Sequence, residues 1–171
     1  MFLVRRPSPE HIDRFLRESH VLPLSYSPTG IVRADTVRQD FDEATVAIGH
    51  GKAAFERARA ALIAWKQFDI GWVETFPRAA PIAAGSVVVV LIHHFGFWSL
   101  TNHAESGEEL FEVFIDPQTE DVIYRIRAIS WPQALLARVG KPIARLLQAC
   151  FRRDSAAAMK RATRGCQEAL S

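Results

Sequence analysis

The chain has 171 residues, a hydrophobic fraction of 49%, a charged fraction of 23% and a formal net charge of +2. That length suits one domain spanning 1–171, large enough to bury about 70% of the surface its unfolded form exposes. The small net charge gives no ground for a nucleic-acid or membrane partner.

The charge is uneven. Residues 99–131 hold seven acids against two arginines, whereas residues 132–171 hold eight basic residues against Asp154 and Glu168. An acidic sheet region and a basic C-terminal helix follow, able to offset one another. The N-terminal Met-Phe-Leu-Val-Arg-Arg-Pro is too short for a signal peptide, and the apolar run Val87 to Ile92 is too short to span a membrane. Cys150 and Cys166, sixteen residues apart on one expected helix, would lie about 24 Å apart and cannot pair within the chain. A reducing, cytoplasmic location is expected.

In chain order, Ser8-Pro9-Glu10 starts a helix whose apolar side is Ile12, Phe15 and Leu16. Val21 to Gly30 reads as a loop carrying Tyr26. Ala44 to Ile48 reads as a strand ending at Gly49-His50-Gly51. Lys52 to Phe68 reads as a helix, with Phe55, Ala58, Leu62 and Trp65 on one stripe. Gly71 to Phe76 and Ser86 to His94 read as strands, the second without alternation, as a central buried strand would be. Glu109 to Ile115 and Val122 to Ile129 form a hairpin. If Ile115 faces Val122, Glu112 lies opposite Arg125 as a cross-strand charge pair. Helix follows to about Ala169, with Gly140 and Pro142 expected to break it early. Strands joined by short turns, with helices gathered in two places, give an α+β fold with an antiparallel sheet.

Several constellations invite chemistry. On the C-terminal helix, Val139, Ile143, Leu146, Leu147, Cys150, Phe151 and Ala158 gather on one face, and Arg145, Arg152, Arg153, Lys160 and Arg164 spread over the other. The basic face is either an anion-binding surface or a solvated outer face. Asp154 falls on the apolar face, where a carboxylate needs a cation or donors, and Arg57, Arg127 or Arg161 can serve. Trp72, Glu74 and Phe76 share one face of a strand, either lining a cavity or lying outside under a helix. Gly49-His50-Gly51-Lys52 precedes a helix but lacks the spacer of a phosphate loop, so tight-turn geometry explains it more simply. His93 and His94 point to opposite sides of a strand, so with His103 and Glu105 they make no metal site. Glu108 and Glu109 alternate likewise. Ser25, Ser99 and Ser155 have no nucleophile-elbow context.

The blocks Gly49-His50-Gly51-Lys52-Ala53-Ala54-Phe55-Glu56-Arg57-Ala58, Ala61-Leu62-Ile63-Ala64-Trp65 and Gly71-Trp72-Val73 resemble the family called domain of unknown function 1990. So do Gly96-Phe97-Trp98-Ser99-Leu100, the run His103 to Phe111, and Arg145 to Ser155. The family has no established reaction. Its pattern is similar to helix-grip domains, which hold apolar ligands between a sheet and a long final helix. The resemblance implies an antiparallel sheet packed against the helix near 52–68 and a long C-terminal helix. It also implies that a stretch of roughly twenty residues is missing here after Leu100, which removes about two strands and leaves a homodimer through an exposed sheet edge open.

The expected function is binding of an apolar or amphipathic small molecule by Tyr26, Trp72, Glu74, Trp98, Glu109 and Asp154, with no cofactor and no metal. Two alternatives stand beside it. One is a hydrolase or other acid/base enzyme using Glu109 or Asp154, with His103 as acid. The other is an interaction module using the basic helix.

Overall fold

The computed structural model describes residues 2–3, 5–23, 27, 29–33, 41–94, 97–100, 105–132 and 136–164. Its elements run β1 (Phe2–Leu3), α1 (Pro9–His20), β2 (Asp42–His50), α2 (Gly51–Ile63), β3 (Val73–Phe76), β4 (Val89–His94), β5 (Phe97–Leu100), β6 (Glu105–Ile115), β7 (Asp121–Pro132) and α3 (Leu136–Thr163). The class is α+β, and every strand pair is antiparallel.

The strands form two sheets instead of the one expected. One has the order β1-β5-β4-β3 and the other β2-β7-β6. β5 and β6 lie in different sheets although only residues 101–104 separate them.

α1 starts where Ser8 Oγ accepts from the His11 N–H at 3.3 Å, with Pro9 in the first turn. Its Ile12, Phe15 and Leu16 cover Val89, Leu91 and Phe76 of the first sheet. Glu74 shares that covered face, since Glu74 pairs with Leu91 and Phe76 with Val89.

The second sheet carries the main core. The registers of β2, β7 and β6 set inner-face rows across the strands: Ala44–Ile126–Phe111, then Val46–Tyr124–Val113, with Val122–Ile115 beyond. Against these rows pack Ala54, Ala58 and Ala61 of α2 and Met159 of α3. The small alanines of α2 let the helix approach the sheet closely. Gly49 takes this furthest, because a Cβ there would stand 2.8 Å from Ala54 Cβ and 3.1 Å from Thr163 Cγ2. The expected hairpin register holds, with Ile115 opposite Val122 and Arg125 Nη2 2.8 Å from Glu112 Oε1.

Two helix expectations change. The segment 52–68 is α-helical only to Ile63; Trp65 turns left-handed at φ 59° and Lys66–Phe68 forms a 3-10 turn. α3 runs unbroken through Gly140 and Pro142. A proline inside a helix removes one backbone hydrogen bond, and here the remaining ladder of a 28-residue helix carries the axis through.

Candidate functional site

Trp72 lies just before β3, so its side chain is not committed to the face that α1 covers. It turns to α3, where its indole Nε1–H donates to Asp154 Oδ2 at 3.0 Å. The other oxygen of Asp154 accepts from Arg153 Nε at 2.8 Å. Two residues singled out separately from the sequence are thus in direct contact. The partners expected for Asp154 are otherwise engaged. Arg57 donates to the Thr163 carbonyl, Arg127 binds Glu43 and the Val32 carbonyl, and Arg161 reaches the Asp69 carbonyl. Asp154 sits at the flank of the buried helix face, where a neighbouring guanidinium and an indole suffice.

Beside this pair lies an aromatic cluster. Phe151 of α3 meets Trp72 at 6.3 Å, Phe111 of β6 at 6.1 Å and Phe68 at 5.5 Å between ring centres, and Phe68 meets Phe111 edge-on at 5.5 Å. All four rings are half-buried. Edge-on and tilted contacts at these distances are favourable arrangements of aromatic quadrupoles.

Below the cluster the space between sheet and helix is filled. Tyr124 and Ser155 are 1% and 0% exposed and share a hydrogen bond of 2.9 Å between their hydroxyls. Burial pushes the Tyr124 phenol well above its ordinary pKa; the Ser155 hydrogen bond opposes this, and the negative charge of Glu109 adds to it.

Above the cluster the inner face ends in a different row, Asp42–Ala128–Glu109. Val113 and Phe111 on β6 are half-buried, whereas Glu109, next on the same face, is exposed. Asp42 is bound by Arg152 of α3. The grip between sheet and helix therefore closes on Tyr124 and opens at Glu109, with Ala128 leaving room between the two acidic positions.

The remaining sequence candidates lie elsewhere. Glu74 accepts from Arg6 Nε and Nη2 at 3.3 and 2.8 Å under α1, the outside-face alternative. Tyr26, the side chain of Trp98, His103 and Cys166 lie outside the described residues. Among the described residues no group of three His, Cys, Asp or Glu side chains is placed to hold a metal ion, and no helix is long and apolar enough to cross a membrane.

Sequence reasoning passed over Glu108. It faces the opposite side of the sheet, is 9% exposed, and accepts from the backbone N–H groups of Gly30 and Val32. A carboxylate three residues before an apolar strand position gives no signal of such a role, because its partners are 76 and 78 residues away.

A family model described as a domain of unknown function, DUF1990, matches residues 25–102 and 92–158. The chain belongs to the DUF1990 family. Among its relatives is a UPF0548 protein of Dictyostelium discoideum, 27% identical over 206 aligned positions that cover 95% of each chain. A UPF0548 protein of Arabidopsis thaliana is 28% identical, over 69% of this chain and 70% of its own length. One of Deinococcus radiodurans is 34% identical, over 57% and 52%. The Dictyostelium alignment is longer than this DUF1990 chain, so the relative carries residues absent here. The two matched segments meet on β4 and β5, where the sequence comparison puts the missing stretch. No solved structure matches the chain.

Proposed function

We propose that this DUF1990 domain binds an amphipathic small molecule where the grip between the β2-β7-β6 sheet and α3 opens. One observation carries the proposal: the Trp72–Asp154 hydrogen bond, at the edge of a half-buried aromatic cluster, with Glu109 exposed on the adjoining sheet face. Phe111, Phe151 and Trp72 form an apolar floor, and Asp154 and Glu109 supply orientation at its rim. Asp154 is tied by two donors, which suits orienting a ligand better than transferring a proton. The interaction-module reading is weakened because Arg152 and Arg153 on the basic face already bind Asp42 and Asp154. A homodimer through a sheet edge belongs to the same proposal, since Glu109 and Phe111 sit on an edge strand. So does a single domain acting in the cytoplasm.

The test follows the indole N–H resonances in a 15N-labelled protein while a medium-chain alkyl amphiphile such as decanol is titrated. Binding at the mouth shifts the Trp72 indole saturably, and Phe151→Ala weakens it roughly tenfold through lost contact area. A shift confined to residues of the α1 side, or no saturable shift with any alkyl head group, refutes the assignment.

A further inference from the structure

The edge of the β2-β7-β6 sheet at β6 is a second feature with specific chemistry. At the hairpin the Asp116 N–H donates to the Asp121 carbonyl at 2.9 Å, so residue 116 points its backbone groups at β7. Along an antiparallel strand this orientation alternates. Residues 114, 112, 110 and 108 therefore also face β7, and Gly107, Glu109, Phe111, Val113 and Ile115 point their N–H and C=O groups outward. The β6–β7 register carries no bulge that would reset the alternation. Among the described strands none pairs with that outer edge.

The strand holds eleven residues with no proline and no lysine, the residues that usually blunt an edge. The four residues 101–104 that link β5 to β6 are too few for a hairpin to cover it. The family match breaks at residues 92–102, just before this link, and the Dictyostelium relative carries additional residues.

We propose that a second copy of this chain pairs antiparallel with the β6 edge, with Phe111 on the two-fold axis. The acids select this register. Centring on Leu110 sets Glu108 against Glu112, and centring on Glu109 or Glu112 sets a glutamate against itself. With Phe111 on the axis, Glu109 faces Val113, Glu108 faces Phe114 and Glu112 faces Leu110 of the second copy, so no acid opposes an acid. The five outward residues then exchange about ten backbone hydrogen bonds across the axis. The two three-stranded sheets become one of six strands. Phe111, part of the floor of the proposed site, meets its own copy, so the partner completes that floor. The pairing does not depend on any ligand.

The test joins multi-angle light scattering of the full chain with amide exchange resolved by residue. The expected result is a dimer in which the amides of 109, 111 and 113 are as protected as those of 108, 110 and 112. Leu110→Glu places two like-charged pairs at the axis while leaving the new carboxylate beside Arg127 in its own chain. It should weaken the dimer about tenfold and release the 109, 111 and 113 amides alone. Leu110→Gln, without the charge, should stay dimeric. A wild-type monomer at NMR concentrations overturns the proposal, as does a dimer whose 109, 111 and 113 amides exchange freely. A monomer that still binds decanol at Trp72 overturns the pairing and leaves the binding proposal standing.

Discussion

Removing the two hydroxyls beneath the aromatic cluster, singly and together, separates hydrogen bonding from packing in the heart of the grip. Tyr124 and Ser155 are almost wholly buried and 2.9 Å apart. Tyr124→Phe keeps the ring and leaves the Ser155 hydroxyl unpaired; Ser155→Ala does the reverse. Each single change should cost about 1–3 kcal/mol, the penalty for a buried polar group without a partner. The double variant removes both hydroxyls and should cost little more than one single change, giving a coupling of about 1 kcal/mol or more. Urea unfolding followed by tryptophan fluorescence measures all three, and each kcal/mol should lower Tm by roughly 2–4 °C. The pH dependence adds an independent check. The folded phenol titrates above its ordinary value, so the unfolded state loses its proton first as pH rises past about 10. The Tyr124 contribution is fully present below that pH and is lost above it, and Tyr124→Phe should flatten this part of the profile. Additive single costs, or a Tyr124→Phe variant as stable as wild type at neutral pH, would refute the reasoning.

Three further outcomes follow from packing. Gly49→Ala brings a methyl within 2.8 Å of Ala54 Cβ and 3.1 Å of Thr163 Cγ2, both on helix backbones that must shift, and should cost about 1–3 kcal/mol by urea unfolding. Glu108→Ala strips the Gly30 and Val32 N–H groups of their acceptor, costs about 2–4 kcal/mol and speeds exchange of those two amides above all others. Glu112→Gln breaks the Arg125 pair, but both side chains are about a quarter or more exposed, so the loss should stay below about 1 kcal/mol and shrink as salt is added.

The local signals in the sequence carried far. Ser8 and Pro9 start a helix because cap and ring each solve a problem of the first turn, and neither depends on the rest of the chain. The hairpin register could be read because alternation on both strands and a short turn leave few ways to pair them, which also placed Arg125 against Glu112. Long-range choices were hidden. Nothing local says that β5 leaves one sheet and β6 enters another, or that α3 continues through Pro142, since both depend on partners distant in the chain. Asp154 was legible as a carboxylate that needs partners, but not which ones. Trp72 reaches it only because the residue lies just before β3 and turns away from the sheet face that Glu74 and Phe76 share. The row Asp42–Ala128–Glu109 needs three strands in register before it exists at all.

The central claim is that the opening between sheet and α3 holds an amphipathic molecule. Untargeted mass spectrometry of what is released on denaturing the purified protein tests it most directly, with wild type and Trp72→Ala prepared in parallel. An amphipathic compound near one equivalent per chain in the wild type, and depleted about tenfold or more in Trp72→Ala, is the predicted result. No compound above background, or equal amounts from both proteins, would contradict it.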